Sequence, residues 1–70
     1  MLMKLTIDTE QEDDGRWIGE VPELPGVLVY GATRDEAMAR AEALALRVLA
    51  ERLEHAEARA VALTITVAAK

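Results

Sequence analysis

The chain has 70 residues, 51% hydrophobic but only 3% aromatic, with Lys+Arg 8 against Asp+Glu 13 and a net charge of −5. A chain this short forms one domain, residues 1–70, and buries only about 60% of its unfolded surface, which excludes a multi-domain enzyme and any large cofactor-binding fold. It has no cysteine and no serine, so disulfides, thiolate metal sites and a serine nucleophile are excluded too.

The charge is uneven. Residues 1–36 carry three basic and nine acidic groups, net −6, and residues 37–70 carry five and four, net +1. An acidic front half repels phosphate backbones, so no direct nucleic-acid binding is expected, and a basic protein partner suits it better. The absence of cysteine fits a reducing cytoplasm. No basic segment precedes an apolar run at the N-terminus, so no signal peptide is expected, and no run approaches the ~20 apolar residues that span a bilayer.

In chain order, Met3, Leu5 and Ile7 alternate with Lys4, Thr6 and Asp8, which predicts a half-buried strand. Glu12-Asp13-Asp14-Gly15 reads as a turn, and Arg16–Val21 as the returning strand of a hairpin. In that strand Trp17, Gly19 and Val21 share one side, Ile18 and Glu20 the other. Pro22 and Pro25 end it, with Leu24 between them and Gly26 as a turn residue. Val27–Tyr30 is a short apolar strand that Gly31 stops. Thr33-Arg34-Asp35-Glu36 has the form of a capping box, so a helix of about twenty residues is predicted from Arg34 to near Glu54. The chain then turns somewhere in Arg52–Arg59, and Val61, Leu63, Ile65 and Val67 alternate with small or hydroxylated residues in a last strand. The expected fold is α+β: β-β-β-α-β, a four-stranded mixed sheet of order 3-2-1-4 with one helix on one face.

At about 100° per residue, Ala37, Ala41, Leu44, Ala45, Val48 and Leu49 form one helix stripe expected to face the sheet, with Arg40, Arg47, Glu51 and Glu54 on the wet side. Glu36–Arg40 and Arg47–Glu51 are spaced as i,i+4 ion pairs. Leu46 and Leu53 fall outside the stripe on one flank, among Ala39, Ala43 and Ala50, and are expected oligomer contacts. The sheet face away from the helix is the competing contact surface. A dimer or larger homo-oligomer is expected.

Three constellations bear on catalysis. His55, the only histidine, sits near the helix C-terminus, where an imidazolium interacts well with the dipole; alone it builds neither a metal site nor a triad. Glu10, Glu12, Asp13 and Asp14 are acidic but show only fragments of a calcium loop. In a two-metal nuclease that draws carboxylates from strand one, the helix and strand four, Asp8 could supply the first and Glu36 could approach as the second, but Val61–Lys70 holds no acid to complete the set. No catalytic, cofactor-binding or metal-ligating set is expected, and the chain is not expected to be an enzyme.

Gly15-Arg16-Trp17-Ile18-Gly19-Glu20-Val21-Pro22-Glu23-Leu24-Pro25-Gly26-Val27, followed by Tyr30-Gly31-Ala32-Thr33-Arg34-Asp35-Glu36-Ala37, resembles the HicB-like antitoxin family. The likeness rests on an aromatic in the second strand (Trp17), a P-x-L-P-G turn (Pro22, Leu24, Pro25, Gly26), and G-x-T-x-x-E-A opening the helix (Gly31, Thr33, Glu36, Ala37). It spans about residues 3–67. The resemblance implies a partial ribonuclease-H-like fold without nuclease activity, and a module that neutralises a small basic HicA-type mRNA interferase in a toxin-antitoxin system. It stops short of the DNA-binding segment that such antitoxins usually carry, so promoter binding is not expected of these residues. The alternative is a stand-alone homo-oligomeric HicB-like protein with no toxin partner.

Overall fold

The computed structural model describes residues 2–55 and 62–69, with side chains described for 4–55 and Thr66. Its elements are β1 (Leu2–Gln11), β2 (Trp17–Glu20), β3 (Leu28–Gly31), α1 (Arg34–Glu54) and β4 (Ala62–Ala69). β1 and β2 form an antiparallel hairpin with Thr9 opposite Gly19 and Gln11 opposite Trp17. The turn is closed by Gly15 N–H donating to Glu12 C=O (2.9 Å) and Glu12 N–H donating to Arg16 C=O (2.7 Å). β2 pairs antiparallel with β3, setting Ile18 opposite Tyr30 and Glu20 opposite Leu28. β4 pairs parallel with β1, Leu5 in register with Ile65 and Ile7 with Val67. Backbone pairing thus runs β3-β2-β1-β4.

The expectation of a four-stranded mixed sheet lying under one helix is corrected. α1 packs against β1, β2 and β3, so the helix-covered unit is a three-stranded antiparallel sheet in the order 1-2-3, and β4 joins it by pairing with β1. The reason is width. A helix with its side chains is about 10–12 Å across, and three strands about 4.8 Å apart already span that distance.

Other boundaries also move. β1 runs on to Gln11, beyond the alternation that ends at Asp8, because residues 8–11 pair with all of β2. β2 stops at Glu20, before Val21, and β3 gains Gly31 and loses Val27. Val61 and residues 56–59 of the turn expected before it lie outside the described residues, while residues 52–55 belong to the end of α1 and its cap.

The core lies between α1 and the sheet. Leu5, Ile7, Val21, Leu24, Val27, Ala41, Ala45 and Leu49 form one buried cluster. Leu44 and Val48, placed on the helix's buried stripe by the wheel, are only half-buried, because the contact line runs through the small residues Ala37, Ala41 and Ala45. Close approach there depends on two sheet glycines. A Cβ on Gly19 would stand 2.5 Å from Ala37 O, and one on Gly31 2.6 Å from Ala37 N.

The helix start is built as its sequence predicts. Thr33 has extended backbone (φ −129°, ψ 163°), and its Oγ1 accepts from Glu36 N–H at 3.1 Å. The Glu36 carboxylate reaches back to Ala32 N–H (3.1 Å), one residue before the cap, and also pairs with Arg40 at 3.2 Å. At the other end His55 caps the helix, its backbone N–H donating to Glu51 C=O (3.0 Å) and its ring Nδ1 2.8 Å from the same oxygen.

Candidate interaction surface

Alternation along the strands sorts the side chains into two faces. On β1, Leu5, Ile7 and Thr9 are buried under α1, so Lys4, Thr6, Asp8 and Glu10 belong to the opposite, helix-free face. On β2, Gly19 meets the helix, so Ile18 and Glu20 are helix-free. On β3, Gly31 meets the helix and Val29 packs on the core, which leaves Leu28 and Tyr30 helix-free, 45% and 41% exposed.

Register then assembles two rows across that face. One reads Tyr30, Ile18, Glu10 and the next Leu28, Glu20, Asp8. Apolar side chains occupy the β3 end of each row and carboxylates the β1 end. Asp8 is half-buried in this arrangement. A shallow hollow of about 30 Å³ lies among Asp8, Thr9, Glu10, Ile18 and Glu20.

Arg16 organises the corner. Its guanidinium lies 4.6 Å from the centre of the Tyr30 ring, a cation–π distance. Its Nε donates to Asp14 Oδ2 at 2.7 Å and its backbone N–H to Asp14 Oδ1 at 3.0 Å. The backbone hydrogen bond, then the guanidinium, hold the Asp14 carboxyl below its ordinary range. Asp14, Asp13, Glu12 and Arg16 border an open hollow of about 260 Å³ at the hairpin tip.

The loop from Pro22 to Val27 closes one end of the core between α1 and the sheet. Leu24 is buried, 2% exposed, while Pro22, Pro25 and Gly26 stay on the surface. Three backbone bonds knit the loop: Val21 N–H to Val27 C=O (3.1 Å), Leu24 N–H to Val21 C=O (3.0 Å) and Val27 N–H to Leu24 C=O (3.1 Å). Where β2 has ended, Glu23 Oε1 takes the place of a ladder acceptor for Thr6 N–H (3.0 Å). That hydrogen bond, working against slight desolvation, draws the Glu23 carboxyl below its ordinary value.

The motif residues are therefore spread through the scaffold. Trp17 is half-buried on the helix side of β2, opposite Gly31; Thr33, Glu36 and Ala37 fix the helix start against the sheet. Leu46 and Leu53 are 44% and 43% exposed. They sit on the helix flank turned away from β3, since Arg40, Leu44 and Arg47 of the other flank border a groove of about 250 Å³ with Val29. Of the two expected helix ion pairs, Glu36–Arg40 forms, whereas Arg47 lines that groove. Asp8 and Glu36 do not converge: Asp8 is on the helix-free face and Glu36 on the helix side, tied to Ala32 and Arg40.

Sequence reasoning did not assemble Asp8, Glu10, Glu20, Ile18, Leu28 and Tyr30 into one surface. The available signal was Val27–Tyr30, apolar on both faces of a strand that one helix covers on one side only. Among the described residues no group of three His, Cys, Asp or Glu is arranged to hold a metal ion, and no helix is long and apolar enough to cross a membrane. The hollows fall below the roughly 300–1,000 Å³ of ordinary small-molecule sites. No protein-family model, no curated protein and no solved structure matches the chain.

Proposed function

We propose that the chain is a non-catalytic protein-binding module, similar to a HicB antitoxin, whose partner is a small basic protein of the HicA mRNA-interferase kind. The observation that carries this reading is the helix-free sheet face, where Asp8, Glu10 and Glu20 stand beside Ile18, Leu28 and Tyr30. Carboxylates steer a basic partner into encounter and set its orientation. The neighbouring apolar side chains supply desolvated contact area, the usual source of affinity. The acidic hairpin Glu12-Asp13-Asp14 extends the same negative field. Such a surface would act by occluding the partner's own active groups.

The test is co-expression with any small basic protein whose reading frame adjoins that of this chain. The expected result is co-purification and relief of toxicity, weakened by salt and abolished by Glu10→Lys with Glu20→Lys in a variant that keeps its helical circular dichroism. Co-purification untouched by the charge reversal would move the contact off this face, and failure to bind would remove the antitoxin reading. The proposal also expects no cleavage of RNA in the presence of Mg²⁺; cleavage that disappears in Asp8→Asn would make the chain an enzyme.

A second reading is a stand-alone homo-oligomer without a toxin. The exposed Leu46 and Leu53 favour it. Assembly of the pure protein without binding to any neighbouring gene product would select it.

A further inference from the structure

We infer that two copies of this chain pair through antiparallel β3 edges about a two-fold axis at Val29, independently of any toxin partner. β3 is one edge of the sheet. Val27 C=O is bonded inward to Val21 N–H, and antiparallel pairing alternates residue by residue, so Val29 also turns its backbone groups inward, toward Gly19. Leu28 and Tyr30 therefore point theirs outward, with Leu28 N–H turned onto Gly26 C=O of its own loop at 3.2 Å, a contact that pairing would exchange for a bond across the edge. Tyr30 C=O shows this directly, since it accepts from Arg40 Nη1 at 2.9 Å rather than from β2.

An outward edge of this form is its own complement. With the axis at Val29, Leu28 of one copy faces Tyr30 of the other, and each pair can exchange both N–H···O=C bonds. The two exposed apolar side chains of β3, Leu28 (45%) and Tyr30 (41%), become cross-strand neighbours on one face. On the opposite face the two Val29 residues meet.

Charge selects this occupant. Leu28, Val29, Tyr30 and Gly31 carry no charge, so the edge offers nothing to a charged strand and matches an uncharged one. The helix flank above it holds Glu36, Arg40, Arg47, Glu51 and Glu54, a mixed set of net −1, so bringing two flanks together accumulates little charge. The carboxylates Asp8 and Glu10 lie two strands away, on β1, and Glu20 lies one strand away, on β2. The spacing also fits. α1 touches β1, β2 and β3 and so centres near β2, which puts the paired helices three strand spacings apart, about 14 Å. The Val29–Leu44 groove of about 250 Å³ would then open onto its symmetry mate, with the long Arg40 and Arg47 side chains bridging the gap. In the single chain Arg40 covers the edge by holding Tyr30 C=O. Pairing exchanges that contact for a backbone bond.

The test uses the absence of cysteine. A Val29→Cys variant places one thiol per chain on the axis, in a pair not bridged by backbone hydrogen bonds, where Cα atoms lie about 4.5 Å apart, within disulfide reach. The expected result is near-complete oxidation to a covalent dimer, while Leu53→Cys stays uncrosslinked under the same oxidant. Light scattering of the unaltered protein should give about twice its 7.6 kDa mass at high concentration, falling toward the monomer on dilution. Leu28→Lys with Tyr30→Lys should hold the monomer mass while circular dichroism keeps the helix. A monomer at every concentration overturns the inference, as does rapid cross-linking of Leu53→Cys with none at Val29→Cys, which would give the contact to the Leu46–Leu53 flank.

Discussion

Replacing Gly19 with Ala tests how α1 is seated on the sheet. Gly19 does not adopt positive φ, so alanine meets no backbone strain there, and the whole cost is contact. The added methyl would lie 2.5 Å from Ala37 O, 3.0 Å from Ala37 C and 3.1 Å from Ala41 Cβ. The nearest atoms are backbone and cannot swing aside, so the helix must lift by at least about 0.5 Å to reach even the 3.0 Å limit of real Cβ contacts. A gap of that size forfeits roughly a quarter of each dispersion contact it opens, across a line that includes Ala41, Ala45, Leu5 and Ile7. Overpacking of this kind costs about 1–3 kcal/mol, of a total stability of about 4–10 kcal/mol for a chain of this length. In thermal unfolding followed by circular dichroism, this corresponds to a fall in Tm of about 5–20 °C. Adding Ala41→Gly should not rescue it, because the Ala37 carbonyl remains. Gly15→Ala is the control: Gly15 has φ +91° and nothing within 4 Å, so only backbone strain of about 1–2 kcal/mol applies. Equal or higher stability of Gly19→Ala would refute the close seating of helix on strand.

Further outcomes follow from the same contacts. Thr33→Ala removes the acceptor of Glu36 N–H and should lower stability by about 1 kcal/mol in urea unfolding, with Thr33→Ser recovering most of it. Leu49→Ala, at the C-terminal end of the buried stripe, should cost about 2–4 kcal/mol, read as a lower urea midpoint. The Glu23 carboxyl is lower in the folded chain than its ordinary 4.5, so its contribution is present above that value and is lost as pH falls through the lower folded value. Glu23→Gln should flatten that acid limb in a pH series of unfolding midpoints; because Glu23 is exposed, the change is small, and an unchanged limb would count against the Thr6 contact.

Local chemistry was the legible part of the fold. Thr33 and Glu36 announce a helix start because a cap is written within four consecutive residues, and Glu12–Gly15 announces a turn for the same reason. Leu24 between two prolines was readable as a plug, since an isolated apolar residue in a rigid loop has few other uses. What involves distant partners was not readable. Gly19 gives no pattern of its own; its purpose appears only when Ala37 lies above it. Thr9 is buried, 1% exposed, where alternation alone predicts an apolar residue, and its hydroxyl accepts from Arg34 Nε (3.3 Å), twenty-five positions away. The extent of helix cover was misjudged because strand pattern says which residues are apolar, while helix width decides how many strands one helix can shelter. The acidic rows of Asp8, Glu10 and Glu20 needed the β1–β2 register, and a register cannot be read from either strand alone.

The two glycines that receive Ala37 bear on a wider difficulty for so plain an interior. A core of Ala, Leu, Ile and Val, almost without aromatic shapes, would accept many near-equivalent dockings of a smooth alanine-rich rod. Notches at Gly19 and Gly31 break that degeneracy, because the Ala37 backbone sits down into both, and sliding or rolling the rod would lift it onto a side chain. Two missing side chains thus act as a locating pin, selecting one arrangement among many of similar greasiness.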